Sequence, residues 1–136
     1  MALTTDDRQA ITDLLHLHGH YTDRGALDRM DELFAPDAVL DLSDFGLGVR
    51  TGLAEMLQAI QAIQAIGDGH PVAHHVTNIV LSGGDGDRVQ AISKGIGIMA
   101  NGHCGSVVYE DELRPLPAGW RITHRTIRLR RKPLTP

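Results

Sequence analysis

The sequence has little cysteine, few aromatic residues and no excess of positive charge. Its 136 residues include one cysteine, Cys104, so no disulfide can form within the chain, as expected in a reducing compartment. The net charge is −4 and the pI is near 6.0, which argues against nucleic acid as a partner, because phosphate binding requires a basic surface. The apolar runs are too short to span a bilayer and the N-terminus lacks the features of a signal peptide, so we expect a cytoplasmic protein without membrane contact.

The overall amino-acid composition is that of an ordinary soluble domain. Hydrophobic residues make up 42% of the chain and charged residues 22%, and the length suits one domain covering residues 1–136. Aromatic residues account for only 4%. A pocket in such a domain should be mostly aliphatic and should suit a small apolar organic substrate.

Helical patterns occupy the N-terminal half of the sequence. A first helix starts at two threonines followed by two aspartates, which favour a helix start, its apolar stripe covers about 8–21, and Gly25 ends it. The apolar stripe of this helix includes His18, which should point into the core. A second helix is predicted over about 27–34 and a third over about 52–66. The stripe of the first helix is formed by Ile11, Leu14, Leu15 and His18.

Strand patterns dominate the C-terminal half. A first strand is predicted over 38–42, between the second and third helices, and Gly-rich and Asn-Gly breaks separate the later segments as in hairpins. The order α-α-β-α-β-β-β-β predicts an α+β fold, with helices on one face of an antiparallel sheet that curls and leaves a pocket. The later strands are predicted over about 73–81, 88–99, 106–113 and 120–130.

Two adjacent histidines at the start of a strand provide the best catalytic candidate. Neighbouring side chains of a strand point to opposite faces, so we predict that His75 points inward as a general base and that His74 points outward. Asp23 follows the first helix, where a carboxylate meets the negative end of the helix dipole. A hydrogen bond from a histidine would offset this unfavourable interaction with the dipole, and so would exposure of the carboxylate to water. The local sequence by itself favours exposure of Asp23 and a structural role for His75.

Other reactive residues carry weaker signals. His16 and His20 share a helix face at the spacing of a zinc pair, but no glutamate occupies the metalloprotease position between them. Cys104 and His103 are adjacent in an extended segment, where their side chains diverge. We therefore expect neither a metal nor another cofactor.

Several short motifs, taken together, resemble the SnoaL-like branch of the nuclear transport factor two-like superfamily. The resemblance covers nearly the whole chain, and it implies a cone-shaped α+β barrel in which a strongly curved antiparallel sheet wraps around three N-terminal helices. It also implies a deep apolar pocket. The motifs are Tyr21-x-Asp23, Leu33-Phe34-Ala35-Pro36-Asp37-Ala38-Val39, His75-Val76-Thr77-Asn78, Tyr109-x-Asp111-Glu112-Leu113 and Gly119-Trp120-Arg121-Ile122-x-x-Arg125.

The resemblance also implies which residues form the site. Scytalone dehydratase, the bile-acid dehydratases and hexachlorocyclohexane dehydrochlorinase use an Asp–His dyad, onto which Asp23 and His75 align. His18, five residues before the aspartate, would donate to a substrate oxygen. The scytalone dehydratase pocket holds a second histidine where this chain has Met99. The residues expected to bind substrate are Tyr21, Phe34, Met56, Ile60, Met99 and Arg125.

The implied function is that of a cofactor-independent lyase. A dehydratase acting on a small polyketide-, steroid- or terpenoid-like substrate is the main expectation. A cyclase, an isomerase or an epoxide hydrolase using the same pocket is the alternative, as is a ligand-binding or assembly module without activity. The wide apolar stripe of the third helix suggests a homo-oligomer, with a dimer favoured.

Overall fold

Helices and strands follow one another in a mixed α+β order. The computed structural model describes residues 2–65 and 69–130. In chain order the elements are α1 (Thr5–Arg24), a 3₁₀ helix (Leu27–Glu32), β1 (Phe34–Asp41), a short 3₁₀ helix (Ser43–Phe45), β2 (Val49–Thr51), α2 (Leu53–Gln64), β3 (Ala73–Gly83), β4 (Val89–Ile98), β5 (Cys104–Leu116) and β6 (Gly119–Arg130).

Helix α1 begins and ends as its sequence predicts. The Thr4 hydroxyl accepts a hydrogen bond from the backbone N–H of Asp7, whose carboxylate accepts one from the backbone N–H of Thr4. Gly25 ends the helix in the left-handed conformation, with φ at 67°. The predicted stripe faces the core, with Ile11 and Leu15 fully buried. No helix in the described ranges is both long and apolar enough to cross a membrane.

Within the described residues, six strands form one sheet in the order β2-β1-β6-β5-β4-β3. Strands β3 to β6 pair antiparallel in sequence order, as the hairpin signals predicted. Strand β1 lies parallel to β6, so the sheet is mixed. Strand β2 has only three residues and too short a pattern to be predicted. The predicted strong curvature is confirmed, although the curled sheet does not close.

The core lies on one face of this sheet, which we call the inner face. Along β4 the inner-facing residues Val89, Ala91, Ser93 and Gly95 are buried, while the alternate residues on the outer face are exposed. Helix α1 packs against β3, and α2 packs against β1. The buried apolar side chains include Ile11, Leu14, Leu15, Met30, Leu33, Phe34, Leu40, Leu42, Met56, Val89, Leu113 and Ile122.

Candidate active site

Asp23 and His74 are in direct contact where the last turn of α1 meets the start of β3. The ring Nδ1 of His74 lies 2.7 Å from Oδ1 of Asp23. The backbone N–H of His74 also donates to the same carboxylate, with both N···O distances at 3.0 Å. The His74 and Asp23 side chains are 17% and 26% exposed, so small molecules can reach the pair from solvent.

This contact determines what the imidazole can do. A carboxylate only accepts hydrogen bonds, so the proton of neutral His74 belongs on Nδ1, beside Asp23. Nε2 then carries the free lone pair and can accept a proton from a substrate. The negative charge of Asp23 stabilises the imidazolium that results, as in other carboxylate–histidine pairs.

His75, predicted to point inward and pair with Asp23, is exposed on the outer face, so that orientation is wrong, and it is His74 that contacts Asp23. The reason is a β-bulge within residues 77–80 of β3, where Asn78 has a φ of 55°. The bulge inserts one residue and reverses the alternation of side chains. Alternation extrapolated from Leu81, which packs on the core, would place His75 inward. Across the bulge it is His74 that points inward.

Gly19 allows the helix to approach the strand at this point. A Cβ atom added at Gly19 would lie 2.7 Å from the carbonyl oxygen of His74, closer than real Cβ contacts allow. Only glycine therefore lets α1 lie against β3 at the distance that joins Asp23 to His74.

His18 points into the core, as predicted. Its ring packs edge-on against the rings of Phe34 and Tyr109, with centroids 5.9 and 6.1 Å away. Burial lowers the pKa of His18 well below 6.5, and the charges of Arg125 and His74 lower it further. His18 is therefore neutral at pH 7, and its Nδ1 is buried without a hydrogen-bond partner among the described residues.

Arg125 is fully buried and paired with Asp111. Its Nε and Nη2 donate to the two carboxylate oxygens at 2.7 and 2.8 Å, as a bidentate pair. Its guanidinium carbon lies 4.3 Å from the centroid of the Tyr109 ring and 5.7 Å from that of Phe34. Burial disfavours the charged form, but Asp111 offsets this, and the pKa of Arg125 is raised.

The other residues expected to bind substrate lie apart from the dyad or in the packed core. The Tyr21 hydroxyl donates a hydrogen bond to the Glu32 carboxylate at 2.7 Å, so its proton is already used in this contact. Met56 is 1% exposed within the core, and Ile60 is half-buried on α2. Met99 lies in the turn after β4, where its backbone N–H bonds the carbonyl of His103.

A cleft lies on the outer face of the sheet. It has a volume of about 510 Å³ and is lined by residues that include Glu110, Glu112, His124 and Thr126. The expected apolar pocket was to be lined in part by Phe34 and Met56. These pack instead in the core at 1–2% exposure. The cleft is therefore distinct from the dyad, which lies on the other side of the sheet.

Sequence reasoning missed several residues around the dyad. The His70 ring lies 5.4 Å from that of His74, and its pKa is lowered by burial and by the charge of His74. Asp111 and Tyr109 were noted within a motif, but their contacts with Arg125 depend on the pairing register of β5 and β6. No signal in the sequence identified His70. In the part of the chain that the structure describes, no group of three or more His, Cys, Asp or Glu side chains is arranged to hold a metal.

Comparison with known proteins identifies the family. A sequence model described as a SnoaL-like domain matches residues 4–126. A search of curated protein sequences finds no match.

Solved structures show the same fold. A candidate aromatic ring hydroxylase from Novosphingobium aromaticivorans is 26% identical with a TM-score of 0.74, covering 96% of this chain and 94% of that one. LinA is 20% identical with a TM-score of 0.77, covering 91% of this chain and 86% of its own. A candidate scytalone dehydratase from N. aromaticivorans is 16% identical with a TM-score of 0.74, covering 94% and 89%. Since the family match extends over most of the sequence, the chain belongs to the SnoaL-like family of the nuclear transport factor two-like superfamily.

Proposed function

We propose that this protein is a cofactor-independent lyase, a dehydratase, in which Asp23 and His74 form the catalytic dyad. The observation that carries the proposal is the 2.7 Å contact between Nδ1 of His74 and Oδ1 of Asp23. Its substrate is a small apolar organic compound of polyketide-, steroid- or terpenoid-like character, handled in the cytoplasm. The fold shared with a candidate scytalone dehydratase supports this reaction class.

In the proposed reaction, Nε2 of His74 removes a proton from a carbon next to a carbonyl group. The electron pair of that C–H bond forms the new C=C bond, and a hydroxyl on the neighbouring carbon departs. The imidazolium returns the proton to that hydroxyl, so that water leaves and the enzyme is regenerated. Asp23 holds the ring and stabilises its positive charge. A positioned general base contributes about 10²–10⁴-fold to the rate.

The test measures elimination of water from a panel of β-hydroxy ketones. His74→Ala and Asp23→Asn should each reduce the rate at least about 10²-fold, because each removes one half of the dyad. His75→Ala is the matched control, since this neighbouring histidine is exposed on the outer face and its variant should keep the wild-type rate. The proposal fails if the wild type eliminates water and the His74 and Asp23 variants match it.

A second candidate function is that of a dimerising module, with or without activity. Apolar side chains are exposed on the outer face, with Val80 at 60%, Ile92 at 49% and Ile96 at 37%. Val80 and Ile92 are cross-strand neighbours, so they form a joined apolar surface that a second copy would cover. Sedimentation of the wild type and of Ile92→Lys tests this candidate. A monomeric wild type would exclude it.

A further inference from the structure

A second imidazole lies beside the dyad and has no part in the reaction proposed above. The ring of His70 is 5.4 Å from that of His74, centroid to centroid, and the two ring planes are inclined by 51°. His70 is half-buried, precedes β3 and belongs to none of the motifs that carry the family resemblance. Two rings at this separation can contact two neighbouring atoms of one substrate at the same time.

The segment that precedes β3 is held against β4. The backbone N–H of Val72 donates a hydrogen bond to the carbonyl of Ile98 at 2.8 Å. Pro71 packs on Gly97, where an added Cβ would lie 2.9 Å from Cγ of the proline. Gly97 is also the cross-strand partner of His74. Contacts with β4 therefore position both imidazoles.

Asp23 makes His74 a better base than acid. Nδ1 lies 2.7 Å from the carboxylate, and the backbone N–H binds the same carboxylate, so the ring cannot turn without breaking these contacts. Nε2 is then the one nitrogen left both to take a proton from carbon and to deliver it to a hydroxyl on the next carbon. The carboxylate favours the charged imidazolium, which strengthens the base and weakens the acid that it becomes.

His70 has the complementary properties. Burial lowers the pKa of His70 below 6.5, and the charge of His74 lowers it further. Contacts with Pro71 and Asp23 oppose this shift in pKa without cancelling it. His70 is therefore neutral at pH 7 and able to accept a proton. Once protonated, it is a stronger acid than an ordinary imidazolium.

We propose that His70 carries the proton from His74 to the departing hydroxyl, so that the base and the acid of the elimination are two different histidines. The proposal rests on the dehydratase function proposed above and adds a residue to it.

The steps balance without a further reactant. Nε2 of His74 takes the proton while the electron pair of the C–H bond forms the C=C bond. The imidazolium passes a proton to the free ring nitrogen of His70, and protonated His70 gives a proton to the hydroxyl as the C–O bond breaks. Water leaves, and both histidines end neutral. The half-exposed ring of His70 regains its starting tautomer by exchange with solvent.

The test compares two leaving groups on one carbon skeleton, in a β-hydroxy ketone and the matching β-chloro ketone. Chloride leaves as an anion and needs no proton, whereas the hydroxyl group must leave as water. After subtraction of the uncatalysed rates, His70→Gln should slow the loss of water at least about 10²-fold. It should keep the loss of chloride within about threefold of the wild-type rate, because that step uses the base alone. Added imidazole should restore part of the water loss in His70→Ala, since the half-exposed site admits it.

Two control variants accompany the test. His75→Gln changes an exposed histidine of β3 and should match the wild type with both substrates. His74→Ala should lose both eliminations, because the base is needed whichever group leaves. Thermal unfolding checks that each variant folds.

The outcomes separate the relay from the dyad. Equal slowing of both eliminations in His70→Gln would show that His70 only shapes the site, and unchanged rates would show that it takes no part. Either result overturns the relay and leaves the dyad in place if His74→Ala is inactive. If His74→Ala keeps both activities, or the wild type catalyses neither elimination, the dyad itself is wrong and the relay falls with it.

Discussion

The Asp23 carboxylate receives hydrogen bonds from both the backbone and the ring of His74. The backbone N–H lies 3.0 Å from each carboxylate oxygen, and ring Nδ1 lies 2.7 Å from Oδ1. The backbone contact fixes where the carboxylate lies, and the ring contact fixes which nitrogen holds the proton. Asp23 thus positions the strand end and the imidazole together.

This arrangement predicts the tautomer of His74. In the wild type, neutral His74 should carry its proton on Nδ1, because the carboxylate cannot donate. In Asp23→Asn the charge is lost and the side-chain amide can donate as well as accept, so the Nε2–H form should gain population. Long-range ¹H–¹⁵N spectra of the histidine rings measure both forms. His75, which is exposed and whose ring is not among the hydrogen-bond donors to Asp23 in the described residues, is the internal control. Identical His74 spectra in the two proteins would contradict the prediction.

Gly19→Ala should destabilise the protein, against the usual effect of this substitution in a helix. Alanine in a helix is normally more favourable than glycine by about 0.8–1.0 kcal/mol. Here the added Cβ would meet the His74 carbonyl oxygen at 2.7 Å, and the strand backbone must move. We expect a loss of about 1–3 kcal/mol in urea unfolding, typical of overpacking.

Gly83→Ala serves as the control for Gly19→Ala, because a Cβ at Gly83 meets nothing within 4 Å. Its stability should stay within about 0.5 kcal/mol of the wild type. An increase in stability for Gly19→Ala would show that the helix and strand are not in close contact.

The sequence predicted those parts of the fold that local patterns determine. The cap at Thr4, the apolar stripe of α1 and the hairpin order of β3 to β6 follow from neighbouring residues. The second predicted helix is a 3₁₀ helix over Leu27–Glu32, and the parallel pairing of β1 with β6 depends on residues far apart in sequence. Such pairings have no local signature.

The contact of Asp23 with a histidine of β3 was predicted to within one residue, and the error has a single cause. Asp23, His18 and the histidine pair were identified as candidates, but which histidine faces inward depends on the bulge at Asn78. Asparagine tolerates positive φ, yet it also occurs in ordinary strand ends, so the residue by itself does not reveal a bulge. The Asp111–Arg125 contact likewise required the register of β5 against β6.

Asp111→Asn should be far more damaging than the loss of a surface ion pair on the same strand. The substitution leaves the guanidinium of Arg125 buried without a counter-charge, which costs about 3–5 kcal/mol. Glu110→Gln is the matched control, because Glu110 pairs with Arg128 where the side chains are 43% and 54% exposed. Its effect should be below about 1 kcal/mol. Urea unfolding measures both, and equal losses would show that the Asp111 pair contributes no more than a surface contact.

The stability of the protein should fall as the pH is lowered through 6.5, and His18 should be a cause. Burial lowers the pKa of His18 well below its usual 6.5, so between the folded and unfolded pKa values only the unfolded chain binds the proton. The free energy of unfolding therefore decreases with falling pH by up to about 1.4 kcal/mol per pH unit, and this contribution is absent above the pKa of the unfolded chain.

His18→Leu should flatten the profile of unfolding free energy against pH between about pH 7 and pH 5. His70, whose pKa is also lowered, contributes with the same sign in both proteins and cancels in the difference. Parallel profiles for the wild type and His18→Leu would mean that folding does not lower the pKa of His18, contrary to its burial.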